Sequence, residues 1–347
     1  MNYFSALTPY IIPPELPYKK TNLGDGFILN AIRRLLNFSE LRYTFSTKRI
    51  LSDEDINKIN GGRALIIAGA NQLNDEYLPW PGFSLDVLEK IKVPVIPMGV
   101  GYAGNLNGTG NRCMSSVTKG ALRAIHENIQ YSSWRCFRTT RYLNESLPEL
   151  SDKFLMTGCP VIYGEKLLSG YPFSEKTEKI IFTPTERGHW RRREYATLNY
   201  ILDTFPGAEV TMVLHQDFSQ LSIRESFYNL KNNFVLPRHF HAYARKRGVI
   251  VIAPRTADEG EEIYNNCDLH IGSRLHAHIY SLSMCKKSFL THVDGRAEGF
   301  AEYLQFPIVD YTSIGNCAGF DFEIYRRAAI DRYREMAKFT NSLKNIL

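Results

Sequence analysis

The sequence lacks most of the features that announce a metal site, a disulfide scaffold or a membrane span. Its six cysteines, Cys113, Cys136, Cys159, Cys267, Cys285 and Cys317, lie far apart and form no Cys-x-x-Cys pair. That spacing supports neither a zinc site nor a disulfide framework, and buried free thiols in a reducing compartment are the expectation. No stretch approaches the roughly 18 uninterrupted apolar residues of a membrane helix. Met1-Asn2-Tyr3-Phe4-Ser5-Ala6 lacks the basic-then-apolar order of a signal peptide. A soluble, cytoplasmic protein is expected. Short-period repeats and low-complexity tracts are missing, as are His-Glu-x-x-His, Gly-x-Ser-x-Gly and the P-loop pattern, so zincin, triad-hydrolase and P-loop chemistry lose their support. His276 and His278 are two apart and diverge on a helix, which disfavours chelation of one ion. Neither a metal nor a cofactor is expected.

What is present is enough apolar material for two cores: 347 residues, 44% of them hydrophobic. The net charge of +6 is scattered rather than gathered into one run. Nucleic acid is therefore not expected as a partner, whereas an anionic small substrate or peripheral contact with an anionic membrane surface, at its inner face, fits.

Short apolar runs alternate with longer amphipathic stretches. Residues 64–68 and 93–98 read as buried strands around a helix over 83–92, the βαβ pattern of a parallel sheet. The pattern restarts after about residue 175. Strands are predicted over 179–183, 209–214, 249–252, 269–271 and 288–291. Helices are predicted over 192–204, from the 215 region through Leu230, and over 258–266 and 275–284. One or two charged helices follow over 322–347. The Gly170–Ser174 stretch suits a linker. The division predicted is 1–173, 174–321 and 322–347, and parallel sheets of this kind bind ligands at the carboxyl ends of their strands.

Several candidate sites sit at such ends. Gly24 lies in Asn22-Leu23-Gly24-Asp25-Gly26, just before a helix, where glycines let backbone N–H groups approach an anion; an ordinary turn is the competing reading. Asn71 follows the strand 64–68, and Gly99-Val100-Gly101 follows 93–98. In Thr183 to Arg193, Arg187 is the favoured anion ligand and His189 the second choice, because an arginine fork suits carboxylate and phosphate; a solvated charged face is the alternative. His215 and the Asp294-Gly295-Arg296 stretch also follow strands. The densest constellation is Gly272-Ser273-Arg274-Leu275-His276-Ala277-His278. Ser273 is the expected N-cap, and Leu275, Ile279 and Leu282 are expected to face the core, with Arg274, His276 and Tyr280 off that stripe. Arg274 beside a helix N-terminus makes an anion pocket, and a histidine there can move a proton.

Taken in order, these segments resemble the polysaccharide pyruvyl transferase family over about residues 20 to 310. Asn22-Leu23-Gly24-Asp25, Ile67-Ala68-Gly69-Ala70-Asn71, Gly99-Val100-Gly101, Phe137-Arg138-Thr139-Thr140 and Gly158-Cys159-Pro160 are similar to stretches of its N-terminal half. Asp268 through His278 is similar to its Asp-strand-Gly-x-Arg-Leu-His-Ala signature, and Asp294-Gly295-Arg296 with Gly299-Phe300 to a later stretch. Thr139 and Cys159 stand where aspartates are usual, Ala70-Asn71 where a glycine pair is, and Arg296 where a lysine is. The resemblance implies two Rossmann-like lobes facing across a cleft (GT-B-like), with the C-terminal helix returning to the N-terminal, acceptor-binding lobe. It implies phosphoenolpyruvate as donor, held by Arg274, Leu275, His276 and Arg187 of the C-terminal lobe. The acceptor is then a sugar or lipid-linked oligosaccharide of a cell-surface polysaccharide, such as an exopolysaccharide or capsule. His276 would protonate the donor, and Asp25, His215 and Asp294 are the candidate bases. The alternatives are a GT-B-like glycosyltransferase using a nucleotide sugar and a non-catalytic member of the same fold.

Overall fold

The computed structural model describes residues 3–10, 22–78, 85–103, 113–185, 190–215, 237–292, 295–310 and 319–347. The chain divides into two compact units, the first made of Met1–Ile11, Ile28–Tyr163 and Arg327–Leu347, the second of Ile12–Phe27 and Gly164–Arg326. The division thus falls before the Gly170–Ser174 stretch. It also gives residues 12–27, part of the predicted N-terminal lobe, to the second unit.

The first unit contains β1 (Tyr3–Thr8), β2 (Glu40–Ser46), β3 (Leu65–Ala68), β4 (Asn71–Leu73), β5 (Val95–Met98), β6 (Gly101–Tyr102), β7 (Ser132–Trp134) and β8 (Phe154–Met156). Its main sheet runs β2-β1-β3-β5, parallel throughout. Every residue of β1, β3 and β5 is buried, as expected for a parallel sheet covered on both faces. The helix Asp53–Asn60 starts at a capping box in which Ser52 and Asp55 each accept from the other's backbone N–H. Arg49 also holds the Asp55 carboxyl, which drops to about 2. The C-terminal helix Phe322–Leu343 returns to this unit from Arg327 onward. There Tyr333 packs on Tyr163, Arg332 lies over Phe137, and the Lys338 ammonium lies 4.5 Å from the Tyr131 ring centre.

The second unit contains β9 (Lys179–Thr183), β10 (Glu209–Val213), β11 (Ile250–Ile252), β12 (Leu269–Gly272), β13 (Lys287–Thr291) and β14 (Ile308–Val309). Its six-stranded parallel sheet has the order β11-β10-β9-β12-β13-β14. This is the doubly wound arrangement, and the strand order reverses between β9 and β12, the position at which such sheets bind ligands. The two central strands approach closely there. A Cβ on Gly272 would lie 2.4 Å from both the carbonyl oxygen and Oγ1 of Thr183, so only glycine fits.

The strands and helices read from the second half recur within a residue or two, except that the helix expected through Leu230 lies outside the described residues. The expected buried thiols are found at Cys136, Cys159, Cys267 and Cys285, whereas Cys113 is exposed. The amphipathic reading of the key helix is corrected. All of His276 to Ser283 is buried, so the helix Leu275–Ser283 has no solvent face, and Leu275 itself is only half-buried.

Candidate active site

Thr183 ends β9, Gly272 ends β12, and the residues that follow them meet at the reversal of the second sheet. Ser273 donates its backbone N–H to the Thr183 carbonyl at 2.8 Å. It is not the N-cap. Arg274 occupies that position with extended backbone and no side-chain cap, because the Ser273 hydroxyl is already used. It donates to Glu194 Oε1 at 2.7 Å, meets Thr291 Oγ1 at 2.8 Å and accepts from Arg193 Nη2 at 3.0 Å. Arg193 also pairs with Glu194 at 2.8 Å, donates to the His292 carbonyl and stacks over the Trp190 ring at 4.2 Å. Burial raises the Glu194 carboxyl above the ordinary carboxylate value, opposed by Arg193 and by hydrogen bonds from Ser273 and Thr185. A buried ion pair therefore fixes the turn that delivers Arg274 to the helix N-terminus, where a formal charge and the helix dipole favour the same anion.

His276 follows two residues on and is buried against the Asn22–Phe27 segment. A Cβ on Gly24 would stand 2.8 Å from His276 Nδ1. Asn22 donates to Asp25 Oδ2 at 3.1 Å, and Gly24 donates its N–H to Asn22 Oδ1, which shapes the turn before the helix Leu23–Leu35. His215 is buried. Its Nε2 is 2.8 Å from the Tyr264 hydroxyl, and its carbonyl accepts from Leu23 N–H. Desolvation holds His215 well below its ordinary value, with Arg274, His270 and His276 adding repulsion.

Two further buried histidines of this unit, His270 and His278, do different work. His270 bridges Thr183 Oγ1 at 2.7 Å and Ser288 Oγ at 2.6 Å, and Ser288 also meets His278 Nδ1 at 2.7 Å. Burial lowers His270 to about 3 and His278 well below its usual value. His278, with its ring edge on Phe306, belongs to this neutral core network, so its role is separate from that of His276.

Arg187, His189 and Asp294 lie outside the described residues. Arg296 is exposed on the first turn of the helix Gly295–Leu304. Asn71 belongs to the first unit, where it accepts from Arg135. Arg135 was missed by the sequence reading. It stands directly after β7, is 4% exposed, and lies across Gly101 so closely that a Cβ there would be 2.3 Å from its Nη2. Phe137-Arg138-Thr139, the segment matched by resemblance, forms the next helical turn. Thr139 there is fully buried and its Oγ1 accepts from Tyr102 N–H, so this departure supplies an acceptor without a charge. Arg193 and Glu194 were missed too. The signal was available: Glu194, Thr197, Leu198 and Ile201 share one helical face, and a glutamate on an apolar stripe needs a cation.

Among the described residues no group of three His, Cys, Asp or Glu could hold a metal, and no helix is long and apolar enough to cross a membrane.

The polysaccharide pyruvyl transferase family profile matches residues 22–291. The chain belongs to the polysaccharide pyruvyl transferase family. It is an enzyme of that family, and the match spans both the Asn22–Phe27 turn and the Arg274–His276 helix start. A search of curated proteins found no match. Among solved structures, MnaA of S. aureus in complex with UDP is similar over 100% of this chain and 98% of its own, at 9% identity and a TM-score of 0.52. The wall teichoic acid polymerase TagF is similar over 99% and 89%, at 12% identity and a TM-score of 0.45. The UDP-GlcNAc 2-epimerase of Methanocaldococcus jannaschii is similar over 95% and 92%, at 10% identity and a TM-score of 0.44. The MnaA likeness shows the fold of this pyruvyl transferase, a GT-B-like α/β chain with parallel sheets.

Proposed function

We propose that this pyruvyl transferase forms a pyruvate ketal on a sugar of a cell-surface polysaccharide or its lipid-linked precursor, with phosphoenolpyruvate as donor. One observation carries the reading. Arg274 caps a buried helix at the reversal of the second sheet, and His276 sits on that helix's first turn. An anion with a carboxylate and a phosphate needs such a charge, and its methylene carbon needs a proton donor.

His276 gives a proton to the methylene carbon, which becomes the methyl group and leaves an oxocarbenium-like centre beside it. One acceptor hydroxyl adds to that centre, phosphate leaves, and a second hydroxyl closes the ketal. The two hydroxyl protons pass out, one restoring His276 and one leaving with phosphate. Asp25 and Asp294 are the bases proposed, Arg187 is the second arginine on the donor, and Ser273, Leu275 and Arg274 shape its pocket. Residues of the first unit, Asn71 among them, are proposed to hold the acceptor. The reaction belongs at the cytoplasmic face of a membrane, where lipid-linked acceptors are built.

The test is incubation with phosphoenolpyruvate and a panel of galactosides, glucosides and mannosides, with phosphate and acceptor mass read together. Phosphate should appear only with acceptor, which gains the mass of a pyruvate ketal, and Arg274→Ala and His276→Ala should each abolish both. A stoichiometric nucleotide product from a nucleotide sugar would replace this reading with glycosyl transfer.

A further inference from the structure

His276 is held by the Leu23-Gly24 turn and, behind it, by His215 and Tyr264. Leu23 and Gly24 lie in the second unit, on the helix that carries His276 and on the helix Ala257–Asn265. Two glycines make room for them. A Cβ on Gly260 would lie 2.8 Å from Leu23 Cδ2 and 3.1 Å from Phe27 Cε1, and one on Gly24 would lie 2.8 Å from His276 Nδ1 and 3.0 Å from His276 Cβ. The anchor is a buried histidine. Leu23 N–H donates to the His215 carbonyl at 3.1 Å, and His215 Nε2 pairs with the Tyr264 hydroxyl at 2.8 Å. Phe27 seals the assembly, meeting His215 and Tyr264 edge-on at 5.7 and 5.6 Å and Tyr280 at 4.9 Å.

We infer that His215 and Tyr264 are positioning residues for His276: through Leu23 they press the Gly24 main chain against the Nδ1 edge of its imidazole, so that Nε2 is the nitrogen that hands the proton to the donor. The inference rests on His276 as the proton donor. A side chain at position 24 would push the ring off this seat, and misplacing a catalytic group by about 1 Å costs on the order of a hundredfold in rate. Desolvation keeps His215 neutral and keeps the Tyr264 hydroxyl protonated, so the pair stays one hydrogen bond across the pH range in which the enzyme would work.

The experiment compares wild type, Gly24→Ala, Tyr264→Phe, His215→Gln and His215→Leu in the full chain. The readouts are kcat, KM for phosphoenolpyruvate, and the ring-nitrogen NMR signals of His276 in histidine-labelled protein, assigned by their loss in His276→Gln. Gly24→Ala should lower kcat by about 10- to 100-fold, with KM within about threefold, and should shift the His276 signals. Tyr264→Phe removes one oxygen and keeps the ring, and should move both readouts in the same direction by less. His215→Gln, whose amide can reach the Tyr264 oxygen, should recover most of what His215→Leu loses. Unchanged His276 signals in folded Gly24→Ala and Tyr264→Phe would overturn the inference, as would a KM that rises in step with the loss of kcat. If wild type releases no phosphate from phosphoenolpyruvate with any acceptor, the pyruvyl-transfer reading falls, and the His276 signals still decide the positioning claim.

Discussion

Lowering the pH should destabilise the second unit at a pH where an ordinary carboxylate is still ionised. His215, His270 and His278 are all buried and held neutral by desolvation, His270 at about 3. In the unfolded chain each titrates near 6.5. A folded value below the unfolded one means that stability is complete above about pH 6.5 and is lost as pH falls from there toward the folded value. Between about pH 7.5 and about pH 5.5, proton binding to one such histidine favours the unfolded chain tenfold, about 1.4 kcal/mol. Three give about 4 kcal/mol, or a fall of about 2 M in urea midpoint for a slope near 2 kcal/mol/M. Asp55, lowered to about 2, contributes only at much lower pH and lies in the first unit. Urea unfolding followed by hydrogen exchange in peptides covering β12 and β13 reports on the second unit alone. The pH slope near pH 5.5 should correspond to nearly three protons taken up on unfolding, and to one fewer in His270→Gln. A slope below one proton, or one that His270→Gln leaves unchanged, would refute the reasoning.

Glu194→Ala should cost about 3 kcal/mol, because it leaves the largely buried Arg193 guanidinium without its counter-charge; Arg193→Met added to it should recover part of the loss, and equal, additive penalties in a double-mutant cycle by urea unfolding would show that the pair is not coupled. Ala70 has φ of 56°, in the left-handed region, so Ala70→Gly should be neutral or up to about 1 kcal/mol stabilising, whereas Ile66→Gly, within the buried interior strand β3, should cost at least about 1 kcal/mol; equal losses by thermal unfolding would contradict this.

The second sheet was legible because its strands are short apolar runs, such as Ile180-Ile181-Phe182, bounded by turn residues and separated by helices. The first sheet was half legible. β1 buries Ser5 and Thr8 among its apolar residues, and β2 is an edge strand of mixed exposure, so neither presents a clean apolar run. Arg274 and His276 stood out because their types are costly to place at a strand end without a task. Periodicity misjudged their helix, because a helix buried on every side carries no stripe, and Ser273 was read as a cap because local spacing cannot show that Glu194 competes for its hydroxyl. The contact between Gly24 and His276 was beyond sequence reasoning, since each glycine in Gly24-Asp25-Gly26 is equally explained by a turn, and only the fold reveals which one faces an imidazole.

The membership of residues 12–27 in the second unit has a consequence for biosynthesis. At about 5–20 residues per second, some ten to fifty seconds separate the synthesis of Leu23 and Gly24 from that of Gly260, Tyr264 and His276. The first unit waits as well, since Arg327–Leu347 belongs to it and is made after the whole of the second unit. Neither unit can be completed during the first half of translation, and long sequence separations of this kind slow folding. The nascent chain must therefore carry an apolar N-terminal segment, Leu23 and Phe27 foremost, exposed for most of its time on the ribosome, which makes early truncation products of this enzyme prone to aggregate and dependent on chaperones.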